Sequence, residues 1–292
     1  MAAKTHNLSL LIALSLLQFQ ITLAVRLGAT NNASSTPGGQ RFDRDIGIPY
    51  TIKTMPEIAN FIWKLFQQPT EGDRRHYPDD VVNVIIQDLQ DGALGETGDN
   101  NVYMSAKGIE TYPPGDGAKF MFTSILYHEM THIFQWSGKG TAPGGLTEGM
   151  ADYTVLKSPF YVEGYSTPGE GERWDEGYGT TSRFLEYCDS LRKGFTPKLN
   201  KMMREVYKPE YWKQLLGKDV DQLWKEYKAK SDSAPPTTPP PHRGNQGFDR
   251  EIGTAYTLET LPGIANFIWK LFQQPSETSL RQFKRRVYTG AE

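Results

Sequence analysis

The chain has 292 residues, of which 38% are hydrophobic and 12% aromatic, and its formal net charge is -2 at pH 7. That hydrophobic share can build a packed core in one large domain or two small ones, which excludes global disorder. The slightly negative charge argues against a nucleic-acid or anionic-membrane partner, because both require a basic surface. A single cysteine, Cys188, excludes an intrachain disulfide.

The first 24 residues have the pattern of a secretory signal peptide. Lys4 precedes an apolar run over residues 8–17, and Thr22 and Ala24 place small residues before a cleavage point. A membrane anchor is the alternative, but polar residues interrupt the run too often for the about 20 apolar residues that a span needs. The sequence therefore predicts a secreted, extracellular protein with no stable membrane insertion.

Residues 25–40 are rich in Asn, Ser, Gly and Thr, and this composition predicts a flexible segment. Asn32 begins an Asn-Ala-Ser acceptor for N-glycosylation, which suits a secreted protein; an unused acceptor is the alternative. Residues 42–50 are expected to be extended. Pro56 is expected to start a helix with a buried apolar stripe, which ends at Pro69.

Two short apolar runs predict strands of a small sheet. Residues 81–86 are typical of an interior strand, a Gly- and Asp-rich turn is expected over 88–101, and residues 102–105 resume as the next strand. This second strand is a candidate edge for pairing with a substrate backbone, but the sequence does not fix which edge of the sheet is free. From Gly117 the apolar spacing changes to three and four, which predicts a buried helix that ends near Trp136.

This helix carries a His-Glu-x-x-His motif formed by His128, Glu129 and His132. Residues four apart lie on one face of a helix, so the two imidazoles can bind a single ion. Glu129 follows the first histidine, where its carboxylate can accept a proton from an attacking water. The motif is short enough to arise by chance, so the surrounding sequence must show whether it forms a metal site.

A catalytic zinc site has three protein ligands, so a third must come from elsewhere in the chain. Of the remaining histidines, His6 lies in the predicted signal peptide and His242 in a Pro-rich stretch. His76 is a possible ligand, but it lies in a charged segment that favours an ordinary surface side chain. The longer motif with a third histidine six residues after the second fails, since Gly138 occupies that position.

A second helix is predicted to begin near Leu146, after a Gly- and Pro-rich loop, and it carries Glu148 and Asp152. These carboxylates are four residues apart and share one face, while Gly149 and Ala151 permit close helix approach. In one interpretation Glu148 binds the ion and Asp152 accepts a hydrogen bond from a ligand histidine. The reverse assignment and a pair of solvated surface carboxylates are the alternatives.

Several separated segments resemble, in order, the plant basic secretory protein family. They are residues 127–136 around the motif, 142–153 around the two carboxylates, 173–178 and 183–188, and the likeness covers residues 40–230. That family comprises secreted zinc peptidases linked to defence. The resemblance implies an α+β fold, namely a zincin-like metallopeptidase domain with a small β-sheet, an HExxH helix and a helical C-terminal part. The chain departs from the family in two respects: its composition is not basic, and it has a duplicated C-terminal tail outside the family's usual single domain.

The Glu-x-x-x-Asp spacing after the histidines is similar to that of gluzincin peptidases. By this resemblance, Glu148 would be the third ligand of Zn²⁺, and Asp152 would hold one of the ligand histidines by a hydrogen bond. Such enzymes also need a hydrogen-bond donor for the oxyanion, and Tyr178 is the candidate; a core tyrosine is the alternative.

The expected function is that of a zinc metallopeptidase, a secreted zinc-dependent endopeptidase that acts on peptide or protein substrates in the apoplast, in plant defence. The alternative is a non-catalytic secreted defence or binding protein that retains the fold. Peptide cleavage by the protein and by a Glu129 variant discriminates between the two.

The C-terminal part repeats the start of the predicted peptidase domain, which we place at residues 41–230. A helix is expected over 178–191, followed by shorter helices and a Pro-rich linker at 231–245. Residues 248–277 then align without gaps to residues 42–71, with 22 of 30 positions identical. One strand and one helix cannot bury an apolar face alone. Either residues 246–292 pack on the first domain or they are a truncated repeat. We favour the truncated repeat, a tail that is poorly anchored or competes with the first copy for its docking site.

Overall fold

The computed structural model describes residues 25–75, 81–90 and 92–233. The predicted signal peptide, His76 and the C-terminal repeat lie outside the described residues, and the predictions made for them stay predictions. Within the described ranges, none of the helices combines the length and apolar character that a membrane span requires.

The described elements give the chain a mixed α+β architecture, as predicted. The strands are β1 (Arg26–Asn31), β2 (Val81–Gln87), β3 (Gly95–Gly98) and β4 (Asn101–Ser105). The helices are α1 (Pro37–Asp45), α2 (Ile48–Leu65), α3 (Ala106–Ile109), α4 (Asp116–Phe134), α5 (Gly144–Lys157), α6 (Tyr178–Leu191), α7 (Phe195–Met202), α8 (Glu210–Leu216) and α9 (Val220–Ser233). Strands precede most helices, so the sheet lies in the N-terminal half and the C-terminal half is helical.

The four strands form one sheet in the order β1-β2-β4-β3. Strands β1, β2 and β4 are parallel, whereas β3 runs antiparallel to β4. The interior position of β2 is confirmed. The interpretation of β4 as a candidate edge is wrong, because β3 covers it. This edge strand lies inside the segment predicted as a turn, since its sequence Gly-Glu-Thr-Gly has no apolar alternation to mark a strand.

The N-terminal segment is ordered, and the prediction of flexibility over residues 25–40 is wrong. Strand β1 pairs along its whole length with β2. The hydroxyl of Thr36 then caps α1 by accepting a hydrogen bond from the backbone N–H of Gly39. The domain therefore begins before residue 41, and a threonine followed by Pro37 was the available signal for a helix start.

Residues 42–50 are not extended: residues 42–45 end α1, Ile46 and Gly47 form a short turn, and residues 48–50 begin α2. Pro56 lies inside α2 instead of starting it. Proline cannot donate the backbone hydrogen bond at this position. The helix nevertheless buries Met55 before the proline and Ile58 and Ile62 after it. Burial of this continuous apolar face, worth about 1.5–3 kcal/mol for each large side chain, offsets the missing hydrogen bond.

Helix α4 is the centre of the molecule, because it contacts α2, α5 and strands β3 and β4. Its side chains are buried without interruption from Met121 to Thr131. The structure confirms three predicted helices. They are α4 with the HExxH motif, α5 with residue 146 onward, and α6 over residues 178–191. Helix α9 continues to Ser233, three residues into the predicted linker.

Candidate metal centre

Helices α4 and α5 bring three potential metal ligands to one point. His128 and His132 lie on α4 and Glu148 on α5, and their ligand atoms lie within 4.8 Å of one another. Nε2 of His128 lies 3.1 Å from Oε2 of Glu148 and 3.2 Å from Nε2 of His132. Nε2 of His132 lies 3.5 Å from the same Oε2 of Glu148. Ligands at about 2.0–2.1 Å from a tetrahedral zinc are about 3.3 Å apart. The donor atoms and their spacing therefore fit one small divalent cation.

The loop between the two helices makes this convergence possible. Gly138, Lys139 and Gly140 have positive φ angles of 63°, 53° and 81°, which reverse the chain after α4. Gly149 then lets α5 approach α6 closely, since a Cβ atom at this position would lie 2.3 Å from Cβ of Thr181. The reversal of the chain returns Glu148 to the histidines, as predicted, and the close approach at Gly149 packs α5 against α6.

Asp152 supports the first histidine. Its Oδ1 lies 2.7 Å from Nδ1 of His128, and its Oδ2 accepts a 2.7 Å hydrogen bond from the hydroxyl of Tyr165. A proton on Nδ1 leaves the lone pair of Nε2 free to bind an ion. Asp152 is thus placed behind the ring, whereas Glu148 faces the Nε2 atoms, and this arrangement favours Glu148 as the ligand.

The charges at the site shift two pKa values in opposite directions. Burial alone would lower the pKa of His128, but its hydrogen bonds to Asp152 and Glu148 raise that pKa well above 6.5. Burial alone would raise the pKa of Glu148, but the charge of His132 and the hydrogen bond of His128 lower it below 4.5. Without a metal, both shifts favour a protonated His128 next to an ionised Glu148.

Tyr178 lies against the first histidine. Its ring is stacked on that of His128, with centroids 5.8 Å apart and an angle of 11° between the planes. The backbone of Gly177 and Tyr178 has φ angles of 97° and 44°, and the second is uncommon for a bulky residue. The neighbouring charge of Glu148, with burial, raises the pKa of Tyr178 well above 10, so the phenol remains a hydrogen-bond donor.

Other polar contacts at the site were missed by sequence reasoning. The amide Nε2 of Gln135 lies 2.8 Å from Nδ1 of His132, and it donates to the carbonyl of Thr147 at 3.2 Å. The hydroxyl of Thr97 lies 2.8 Å from Oε2 of the buried Glu129. No spacing rule identifies these partners, although Gln135 lies only three residues after His132.

All the residues predicted for the metal site and its chemistry lie together, except His76, which is outside the described residues. They are His128, Glu129, His132, Glu148, Asp152 and Tyr178. Asn32 lies apart, exposed at the end of β1, where its backbone N–H donates to the carbonyl of Ile86. Its exposure satisfies what a glycosylation site needs.

Comparisons with known proteins address the identity of the chain. Residues 22–227 match the family model BSP, described as "Peptidase of plants and bacteria". A curated relative, "Basic secretory protease" from Boswellia serrata, is 43% identical over 56 residues, which are 19% of this chain. The match spans 62% of that relative's own length. No solved structure matches the chain. The chain belongs to the BSP family of peptidases of plants and bacteria.

Proposed function

We propose that the protein is a secreted zinc-dependent endopeptidase with a zincin-like fold. The observation that carries the proposal is the convergence of His128, His132 and Glu148, with Glu129 buried next to the first histidine. Family membership supports the reaction class, because the family is described as one of peptidases.

Each side chain at the site has a role in this proposal. A zinc ion held by the two histidines and Glu148 would act as a Lewis acid toward the scissile carbonyl and the attacking water. Glu129 accepts the proton of that water and passes it to the leaving amine. Asp152 holds His128 in the tautomer that binds through Nε2. The phenol of Tyr178 donates a hydrogen bond to the oxyanion.

The substrate is proposed to be a peptide or protein in an extended conformation. Strand β3 is the last strand in the sheet order, and Thr97 on this strand contacts Glu129. A peptide that pairs with the edge of β3 would therefore run beside the general base.

Secretion is supported by the N-terminal sequence pattern and by the word "secretory" in the relative's name. A protein secreted by a plant cell reaches the apoplast, and Asn32 is then available for glycosylation. The role in plant defence follows from the family resemblance described above.

The test is cleavage of peptides by the purified full-length protein, followed by mass spectrometry. We expect chelation to abolish cleavage and zinc to restore it. Glu129→Gln should lower kcat/KM by about 100-fold or more, the usual contribution of a general base. Glu57→Gln, which changes an exposed carboxylate of α2, is the matched control and should remain active.

Two results would contradict the proposal. Equal cleavage by the wild type and Glu129→Gln would show that the activity does not come from this site. A protein that binds zinc but cleaves no peptide would support the alternative function, a non-catalytic defence or binding protein with the same fold.

A further inference from the structure

Strand β3 contacts the side chain of Glu129 directly. The hydroxyl of Thr97 lies 2.8 Å from Oε2 of Glu129 and 2.9 Å from its backbone carbonyl oxygen. The hydroxyl proton can reach either acceptor, and Oε2 is the nearer of the two. Thr97 therefore restrains the carboxylate of the residue that we assign as the general base.

The position of Thr97 is fixed by the core of the protein. In the antiparallel pairing of β3 with β4, Gly95 lies opposite Met104 and Thr97 lies opposite Val102. Met104 and Val102 are completely buried. Side chains at i and i+2 of a strand point to the same face, so positions 95 and 97 both face α4.

Gly95 provides the space that the carboxylate occupies. A Cβ atom at this position would lie 2.8 Å from Cγ and Oε1 of Glu129, closer than non-bonded atoms can approach. On the same strand, a Cβ atom at Gly98 would have its nearest contact at 3.8 Å, with the ring of Tyr103. The crowding is therefore specific to position 95.

We propose that β3 positions Glu129 for catalysis, with Thr97 as a positioning residue and Gly95 as the space for the carboxylate. Oε2 is held by the hydroxyl while Oε1 lies over the glycine. The catalytic consequence rests on the proposed peptidase function, but the contact between strand and carboxylate can be measured without any activity.

The kinetic test compares Thr97→Val, which has nearly the same shape without the hydroxyl, with Thr97→Ser, which keeps it. We expect Thr97→Val to lower kcat about tenfold or more while KM stays within about twofold and the metal content is unchanged, because only the carboxylate's placement changes. Thr97→Ser should restore kcat. Gly95→Ala should lower kcat similarly. Its control is Gly72→Ala, at an exposed glycine outside β3 where a Cβ atom would have its nearest contact at 4.0 Å, and this variant should not lower kcat.

A double-mutant cycle on the full-length protein tests the contact itself. Thr97→Val, Glu129→Ala and the double variant are unfolded with denaturant, and we expect the two changes to be coupled about tenfold in the unfolding equilibrium constant. Additive effects would overturn the proposal, as would wild-type kcat in Thr97→Val or a Thr97→Ser variant as slow as Thr97→Val. A wild type that cleaves no peptide but shows the coupling would refute the peptidase function and keep the contact.

Discussion

Nδ1 of His128 on α4 lies 2.7 Å from Oδ1 of Asp152 on α5, and both side chains are buried. The other oxygen of this carboxylate accepts the hydroxyl hydrogen of Tyr165, from the loop after α5. The chain from tyrosine to aspartate to histidine fixes the ring orientation before any ion binds.

The first prediction concerns the hydrogen bonds that link Tyr165, Asp152 and His128. Asp152→Asn should weaken zinc binding about 10- to 100-fold, because the amide holds the imidazole in place less strongly and lowers its basicity. Competition with a chromophoric chelator measures the affinity. Tyr165→Phe removes only the outer hydrogen bond and should cost less. Unchanged affinity in Asp152→Asn would show that the aspartate does not support the ligand.

The second prediction concerns the ligand set. Glu148→Ala should leave the site without zinc after dialysis, since two histidines alone do not complete a catalytic site. Metal content per chain is measured by elemental analysis, with Glu57→Ala on the exposed face of α2 as the control. Full occupancy in Glu148→Ala would move the third ligand to Asp152 or His76.

The third prediction concerns Tyr178. Tyr178→Phe keeps the ring that stacks on His128 and removes only the hydroxyl. Zinc should remain bound while kcat falls about 100-fold, the usual effect of losing one oxyanion donor. Wild-type kcat would make Tyr178 a packing residue, and loss of zinc would make its role structural.

The fourth prediction is a pH dependence of the metal-free protein. The raised pKa of His128 stabilises the fold fully below pH 6.5, and this stabilisation is lost as the pH rises through the folded-state pKa. The lowered pKa of Glu148 stabilises the fold above pH 4.5 and is lost as the pH falls through its folded-state pKa. Both contributions are present together between pH 4.5 and 6.5.

Calorimetry of wild type and His128→Gln without metal measures this effect. The difference in Tm should be largest near pH 5–6 and should shrink as the pH rises, once His128 loses its proton. A difference that stays constant with pH would show that the histidine is not charged in the metal-free protein.

The fifth prediction concerns the C-terminal repeat. The buried positions of residues 42–71 are identical in residues 248–277, except that Leu261 replaces Met55. The copy therefore keeps the residues of the apolar face with which α2 packs, and residues 278–292 contain no counterpart of β2 or α4. We expect limited proteolysis to cut between residues 234 and 247 and release the repeat. A linker that resists cleavage, with the repeat retained, would contradict a poorly anchored tail.

The sequence predicts those parts of the site that depend on helical spacing. His128 and His132 are four residues apart, as are Glu148 and Asp152, so each pair shares a face once the helix forms. The apolar period marks α4, α5 and α6 for the same reason. These local relationships can be predicted without knowledge of the tertiary structure.

Contacts between distant polar groups could not be predicted in this way. Thr97 is 32 residues from Glu129, and Tyr165 is 13 residues from Asp152. Thr97 and Tyr165 do not belong to a periodic pattern, because a single hydrogen bond requires only one donor at one position in the sequence. Strand β1 was missed since its pairing with β2 comes from a segment 55 residues away, Arg26 opposite Val81.

The continuous burial of α4 also controls how a bound ion can leave. His128 cannot turn outward unless the core around residues 121–131 opens, and opening of such a core helix costs close to the full free energy of unfolding. Glu148, the proposed third ligand, follows a glycine-rich loop and is the group that a local opening would release. Metal exchange should therefore follow the opening rate of that loop, while the amide hydrogens of α4 exchange only with the slowest in the protein.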